Sequence, residues 1–295
     1  MATNRLLGNT YVERGSPATL LFIQEGTVYV IDPGQGEDRP RRLTKDLKEL
    51  GASQAVVLLT HYHSDHVEAV AALSPAEVVA SSLDAPMIER PELRVLMTFD
   101  YPLNPMDPLL PYRAVPARVT QALPEGVDRY GPIEVHWLPG HTEGHLGFAT
   151  PDGVLYVGDA LFGDKVLEKF GVPYHKMPCK ALETLRKLGS LLGKYEYVVP
   201  GHGPIVKGGE AGPLIDINER RVQEFIEGVR GSLRSPSSVD EVLRAVCQGL
   251  KAPCTPENSM LIGASIKGLI RCLRDEGLLE PDLSEGTLRW RLKPS

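Results

Sequence analysis

The sequence has no long hydrophobic run, no excess of basic residues and few cysteines, and each shortage removes a class of protein. Its longest apolar stretches, residues 18–23 with Thr19 inside and residues 56–59, fall far short of the ~20 residues that a membrane-spanning helix needs, so no transmembrane helix is expected. The first residues, Met-Ala-Thr-Asn-Arg-Leu-Leu-Gly, hold no apolar core of signal-peptide length, which makes the cytoplasm the expected compartment. Lys and Arg number 32 against 38 Asp and Glu, a formal net charge of -6. The segment from Leu214 onward is neutral, so residues 1–213 carry the whole imbalance, and composition shows no basic nucleic-acid patch. The four cysteines, Cys179, Cys247, Cys254 and Cys272, form no Cys-x-x-Cys pair, which argues against a cysteine-built structural zinc site. Reduced, buried thiols are expected. A disulfide among Cys247, Cys254 and Cys272 is the alternative, and a catalytic cysteine is the weakest reading. Asn and Gln are scarce, five and six, a habit of proteins from hot environments, where intracellular disulfides occur.

What remains is a loop-rich globular chain of 295 residues, 42% hydrophobic and 24% charged, with 29 Gly and 25 Pro. At roughly 150 residues per domain the length points to about two domains. Residues 9–32 alternate β-rich runs with turn signals and read as three antiparallel strands, with Glu25-Gly26 as a tight hairpin turn. Leu43, Leu47 and Leu50 give a helix that ends at Gly51. Residues 55–59 are a continuous apolar run of strand length, after which Ser64 is placed to cap a helix through Val67, Val70, Ala71 and Leu73. Further strands are expected at 133–138, 154–157 and 195–199, and a helix over 181–192. Residues 84–128 hold too many prolines for regular structure and read as a long loop, lid or binding wall. From residue 213 the texture changes to helices over 214–230, 239–250 and 256–275 and a hairpin around Glu285-Gly286.

Histidine is where the sequence departs from chance. Thr60-His61-Tyr62-His63-Ser64-Asp65-His66 places three histidines and an aspartate directly after a buried strand. His61 and His63, two apart on extended chain, face the same side and reach one ion together; Asp65 and His66, in the first helical turn, serve a second. Imidazole and carboxylate suit zinc, iron and manganese. Three more apolar strands run into residues of the same kind, His141 after Pro139-Gly140, Asp159 after Gly158, and His202 after Pro200-Gly201. Strand ends in an α/β sheet share an edge, so these residues are expected to meet.

With these motifs, and Asp32-Pro33-Gly34 after the third strand, residues 9–210 resemble the metallo-β-lactamase superfamily. The resemblance implies a four-layer αββα sandwich of α/β class over residues 1–213. Its site would hold two divalent ions, zinc first and manganese or iron as alternatives. One ion would take His61, His63 and His141, the other Asp65, His66 and His202, with Asp159 between them and Asp32 accepting a hydrogen bond from a ligand histidine. Asp65 is the expected catalytic residue, orienting the attacking hydroxide or taking its proton. His145 is assigned to ligand support or substrate contact, His136 to a packed or exposed strand position, and His175 to the surface or, less readily, to substrate binding or general-acid duty. Residues 214–295 resemble the winged-helix-like C-terminal region of a subgroup of such hydrolases.

Within the superfamily, Asp159 argues against antibiotic hydrolysis, His63 against the flavodiiron type, and the short span from Asp159 to His202 against RNA-processing members with a large inserted domain. The implied activity is hydrolysis of small ester-like substrates, thioester, lactone or phosphoester, by a hydroxide held at the ions. A compact endoribonuclease and a mononuclear-iron persulfide dioxygenase are the alternatives. The expected partner is a small molecule rather than RNA or a membrane, for a monomer or homodimer. Met97, Phe99, Tyr101, Tyr112, Phe170 and Tyr174 are expected to wall the pocket.

Overall fold

A computed structural model of the chain describes residues 3–110, 114–284 and 286–294. Seven strands form the first sheet in sequence order: β1 (Asn4–Leu7), β2 (Thr10–Glu13), β3 (Thr19–Gln24), β4 (Thr27–Ile31), β5 (Gln54–Leu58), β6 (Glu77–Ser81) and β7 (Gln121–Leu123). Its first four strands are antiparallel and the rest parallel. Glu25 and Gly26 both have positive φ, as a two-residue hairpin turn of type I′ requires, and Gln24 pairs with Thr27 across it. The second sheet runs β13-β12-β11-β10-β9-β8, built from β8 (Arg129–Tyr130), β9 (Ile133–Trp137), β10 (Leu146–Ala149), β11 (Val154–Gly158), β12 (Tyr197–Pro200) and β13 (Val206–Lys207).

Residue alternation along the strands explains how the two sheets stack. Leu20, Phe22, Val56 and Leu58 point one way and meet Val135, Phe148, Tyr156 and Val199 in a single buried cluster between the sheets. Leu21, Ala55, Val57 and Leu59 point the other way, onto Leu43 and Leu47 of α1 (Arg39–Glu49), Val67 of α2 (Ser64–Val67) and Val70 of α3 (Val70–Leu73). On the far side, Leu155, Val157 and Val198 bury against Leu185 and Leu188 of α7 and Leu214 and Val222 of α8. Those two helices are Pro178–Leu191 and Gly212–Ser232. The layers are therefore helix, sheet, sheet, helix.

Three local expectations change. The helix expected over 64–73 is two single turns, α2 and α3, and Ser64 is its first helical residue; the N-cap is His63, with no side-chain cap bond. The proline-rich stretch begins with two helices, α4 (Ala85–Glu89) and α5 (Pro91–Phe99), because Pro86 and Pro91 stand in their first turns, where a missing N–H costs nothing. A disulfide joins Cys179 to Cys272, with Cα atoms 6.7 Å apart; Cys247 is buried and free, Cys254 exposed and free. The expectation of reduced thiols is thus overturned for Cys179 and Cys272 and holds for Cys247 and Cys254, and the alternative pairing within the C-terminal segment gives way to one across 93 residues, a distance that sequence spacing does not encode.

After α6 (Asp164–Phe170) and α7, the C-terminal region comprises the remainder of α8, then α9 (Val239–Gly249), α10 (Pro256–Asp275) and the hairpin of β14 (Leu279–Asp282) and β15 (Arg289–Leu292). Ser238 and Glu241 close a capping box at the start of α9. Phe225 and Val229 pack with Val242, Val246, Ile262, Ile266 and Leu269 in a cluster that also takes in Val172 of the preceding loop. Glu285 of the expected turn lies outside the described residues. No helix among the described residues is long and apolar enough to cross a membrane. Phe148→Ala, which empties a fully buried position between the sheets, is expected to cost about 3–5 kcal/mol in guanidinium unfolding; a loss under about 1 kcal/mol would place Phe148 outside the core.

Candidate metal centre

Strand ends from both sheets meet at one edge. β5 runs into Thr60, whose carbonyl accepts the Leu146 N–H of β10 at 2.8 Å and so ties the histidine loop to the second sheet. Gly201, after β12, donates to Gly158 O at 2.8 Å and accepts from Ala18 N at 2.8 Å. Only glycine fits at 201, since a Cβ there would stand 2.6 Å from Asp159 Oδ1 and 2.9 Å from His66 Cε1.

The structure gathers His61, His63 and His141 into one group and Asp65, His66 and His202 into another; in each, one ligand-type atom per residue lies within 4.8 Å of the others. His63 Nδ1 is 3.0 Å from His61 Nε2 and 2.8 Å from His141 Nε2. His202 Nε2 is 2.9 Å from Asp65 Oδ2, and His66 Nε2 is 3.7 Å from that oxygen. Asp159 lies between the groups. Its Oδ1 is 3.3 Å from His66 Nε2, and its Oδ2 is 3.5 Å from His141 Nε2 and 3.6 Å from His202 Nε2.

Hydrogen bonds behind the rings fix which nitrogen faces inward. Asp32 accepts three bonds, from Thr60 N at 2.8 Å, Thr60 Oγ1 at 2.6 Å and His66 Nδ1 at 2.7 Å. Because the Thr60 hydroxyl proton is committed to Asp32, the 2.9 Å contact to His61 Nδ1 makes that nitrogen the donor and leaves Nε2 with its lone pair. His141 Nδ1 donates to Tyr174 O at 2.8 Å, which has the same effect. Behind His202, Nδ1 contacts Ser16 Oγ at 2.6 Å. His145, assigned from sequence to support or substrate contact, is wholly buried; its Nε2 accepts the Asp159 N–H at 3.1 Å and its ring stacks on His61.

Burial lowers His61, His63 and His141 below the usual histidine range, so the first group is neutral with lone pairs available. In the second group burial acts the same way on His66 and His202, but Asp159 and Asp65 outweigh it and raise both. Burial would raise Asp65, yet His66 and His202 hold it at about 2, and Asp159 is held low against burial by His202 and His66. His63 Nε2, His66 Nε2 and Asp159 Oδ1 are buried with no hydrogen-bond partner. Close-set ligand atoms that cannot satisfy one another, as where His63 Nδ1 meets the His61 and His141 Nε2 lone pairs, beside two buried carboxylates, are what cation sites look like before the cation is counted. The residues present fit two ions. Two other ligand-type groups do not qualify: Asp32 with His61 and His66 is consumed by the bonds above, and Cys179 and Cys272 are joined to each other.

A cavity of about 460 Å³ opens onto His63, Asp65, His141, Asp159 and His202. Phe170 and Tyr174 line it as expected, with Leu261 and Ile262 of α10. Met97 and Phe99 do not: Phe99 is core beneath α5, Met97 packs on the helix-covered face of the first sheet, and Tyr101 is exposed. Tyr112 lies outside the described residues. His175 is 2% exposed rather than on the surface, against Phe162 and His141. His136 is packed, with Nε2 2.6 Å from the Tyr195 hydroxyl. Thr60, Ser16 and the Tyr174 carbonyl were not legible in the sequence; Thr60 alone had a signal, its place at the head of the histidine run.

The sequence profile described as the metallo-beta-lactamase superfamily matches residues 12–202. The chain belongs to the metallo-β-lactamase superfamily. A hydroxyacylglutathione hydrolase of Thermosynechococcus vestitus is 29% identical over 169 residues, 57% of this chain and 56% of that protein, and one from Shewanella baltica is 30% identical over 56% of this chain and 52% of its own length. The chain thus spans about half the length of the curated relatives it matches. An uncharacterized protein of Mycobacterium leprae is 29% identical over 68% of this chain and 88% of its own. Among solved structures, a metallo-β-lactamase family protein from Thermus thermophilus superposes with a TM-score of 0.65 at 21% identity, covering 96% of this chain and 94% of that one. A β-lactamase domain protein from Burkholderia ambifaria gives 0.66 at 16%, covering 99% and 93%, so the shared fold extends through the C-terminal region.

Burial pushes His175 down to about 3, with neither ring nitrogen hydrogen-bonded. Below the ordinary value of 6.5 the unfolded chain binds a proton there that the folded chain refuses, so stability falls as pH drops from 6.5 toward 3. His175→Leu is expected to remove about 2 kcal/mol of the difference in unfolding free energy between pH 7.5 and pH 5. An unchanged difference would contradict the burial of a neutral ring.

Proposed function

We propose that the chain is a metal-dependent hydrolase with two divalent ions, acting on small thioesters. The observation that carries this reading is Asp159 standing between two complete ligand groups at the floor of a cavity of small-molecule size. His61, His63 and His141 would hold one ion and Asp65, His66 and His202 the other, with Asp159 shared; the nitrogen and oxygen set suits zinc and also admits manganese or iron. When bound, such ions act as Lewis acids and bring the pKa of a coordinated water toward ~7.

The chain's own residues do the rest. Asp65 borders the cavity, with Oδ2 turned toward His202 and His66. Its second oxygen would accept a hydrogen bond from the attacking water and aim it. His145 holds the backbone of Asp159, and Asp32 holds His66 and, through Thr60, His61. The largely apolar walls, among them Phe162, Phe170, Val172 and Ile262, limit competing water. The thioester preference draws on the relatives named hydroxyacylglutathione hydrolase, since an acylglutathione is a thioester. Residues 1–213 would be the catalytic unit and residues 214–295 an appendage that completes the cavity. A nuclease reading is weaker, because residues 214–295 balance twelve Lys and Arg against twelve Asp and Glu, a neutral total that gives little electrostatic drive toward phosphate.

The test is a panel of thioester, lactone, phosphodiester and phosphotriester substrates with zinc- and manganese-loaded protein. Thioesters are expected to turn over fastest, and Asp65→Asn to lower kcat by roughly 10²-fold. Hydrolysis of phosphodiesters without thioesters would overturn the reading.

A further inference from the structure

The proline-rich stretch supplies none of the ligand-type residues gathered above, yet α4 and α5 at its head hold the loops that carry the all-histidine group. Arg94 of α5 donates from Nη1 to Ser64 Oγ, next to His63, at 3.3 Å. At the end of α5, where helix carbonyls lack intrahelical partners, Met97 O accepts from Lys176 Nζ at 2.8 Å and Thr98 O from the Tyr174 hydroxyl at 2.9 Å. Those two residues in turn hold His141, whose Nδ1 donates to Tyr174 O at 2.8 Å and whose carbonyl accepts from Lys176 N at 3.1 Å.

Asp84, at the head of α4, makes the most direct link. It stands at the N-cap, where an aspartate ordinarily accepts from its own helix, but its side chain makes no cap bond. The carboxylate is turned to the His141 loop instead: Thr142 Oγ1 donates to Oδ2 at 2.6 Å and Gly144 N to Oδ1 at 2.9 Å. The N–H of Tyr62, between His61 and His63, bears on the same carboxylate. Residue 144 has to be glycine, since a Cβ there would stand 2.6 Å from Asp84 Oδ1. Asp84 is 1% exposed; burial pushes its carboxyl up to about 7, and the bonds from Thr142, Gly144 and Tyr62 work against that rise. A buried acid that leaves its own helix uncapped and accepts from two ligand-bearing loops ties those loops together.

We propose that Asp84 is the positioning residue of the all-histidine half, one carboxylate that sets the spacing between the loop of His61 and His63 and the loop of His141. The other half is held from elsewhere, His66 by Asp32 and His202 by Ser16. That three histidines share an ion rests on the two-ion reading above; the clamp between their loops does not.

Two backgrounds isolate the halves: His202→Ala keeps His61, His63 and His141, and His141→Ala keeps Asp65, His66 and His202. In each, the zinc affinity of the full chain is measured by competition with a chromophoric chelator. Asp84→Ala is expected to weaken zinc roughly 10–100-fold in the first background and less than about threefold in the second. Asp84→Asn is expected to stay within about threefold in both, because its amide oxygen accepts from Gly144 N and its NH2 donates to the Thr142 hydroxyl. Equal losses in the two backgrounds, as a general structural role would give, no loss in either, or an Asn variant as weak as Ala would overturn the clamp. If Asp84→Ala does not fold, Thr142→Val takes its place, with a severalfold loss expected in the first background alone and no loss there overturning the clamp. Amide exchange of the metal-free wild-type background is followed in parallel, and Asp84→Ala, or Thr142→Val in its place, is expected to speed exchange across residues 140–145 and leave residues 197–203 unchanged. That acceleration with no zinc bound in either background overturns the two-ion reading and leaves the clamp, whereas zinc binding without the acceleration overturns the clamp alone.

Discussion

The carboxylate of Asp32 is the constraint on which the rest of the site depends. It sits at the end of β4 with φ +47°, a left-handed conformation that aspartate tolerates better than most residues, and it is completely buried. From there it fixes one histidine in each group, His66 directly and His61 through the Thr60 hydroxyl. One acceptor therefore sets the tautomer on both sides of the centre. Its own position is set by the sheet, since Asp32 N donates to Leu58 O at 3.0 Å on the neighbouring parallel strand. The two-sheet stack, the parallel pairing of β4 with β5 and the orientation of two imidazoles are one connected arrangement.

The electrostatic character of the site follows from the same packing. Where the histidines face mainly one another, burial keeps them neutral; where they face Asp65 and Asp159, the carboxylates raise them. The two halves thus differ in charge preference while sharing Asp159. A proton can stand in for a cation in the carboxylate-rich half but not in the all-histidine half, so the two halves need not bind metal equally tightly.

Sequence made the chemistry legible further than it made the frame. The histidine run, Asp159, His141 and His202 stood out because each follows an apolar strand, and strand ends share an edge. The Glu25-Gly26 hairpin was legible through Gly26, which takes its positive φ without steric cost between two β-rich runs, whereas the positive φ of Glu25 had no such signal. β6 and β10 were not recognised, since residues 77–81 are short and residues 146–149 follow a loop dense in Gly and His. The proline-rich stretch misled because proline breaks a helix only in its interior, and Pro86 and Pro91 open theirs. The contribution of α10 to the cavity was beyond reach in detail: it depends on Gly268, Cys272 and Lys267 meeting residues 90 or more positions away, and no local pattern reports such distances.

The central claim is that one fold edge holds two cations with Asp159 between them. A crystal structure of zinc-loaded protein, with anomalous data on both sides of the zinc edge, addresses it directly. The account predicts two peaks, one within bonding distance of His61 Nε2, His63 Nδ1 and His141 Nε2, the other of Asp65 Oδ2, His66 Nε2 and His202 Nε2, each with an Asp159 oxygen beside it. A single peak at full zinc saturation, or metal held elsewhere, would contradict it.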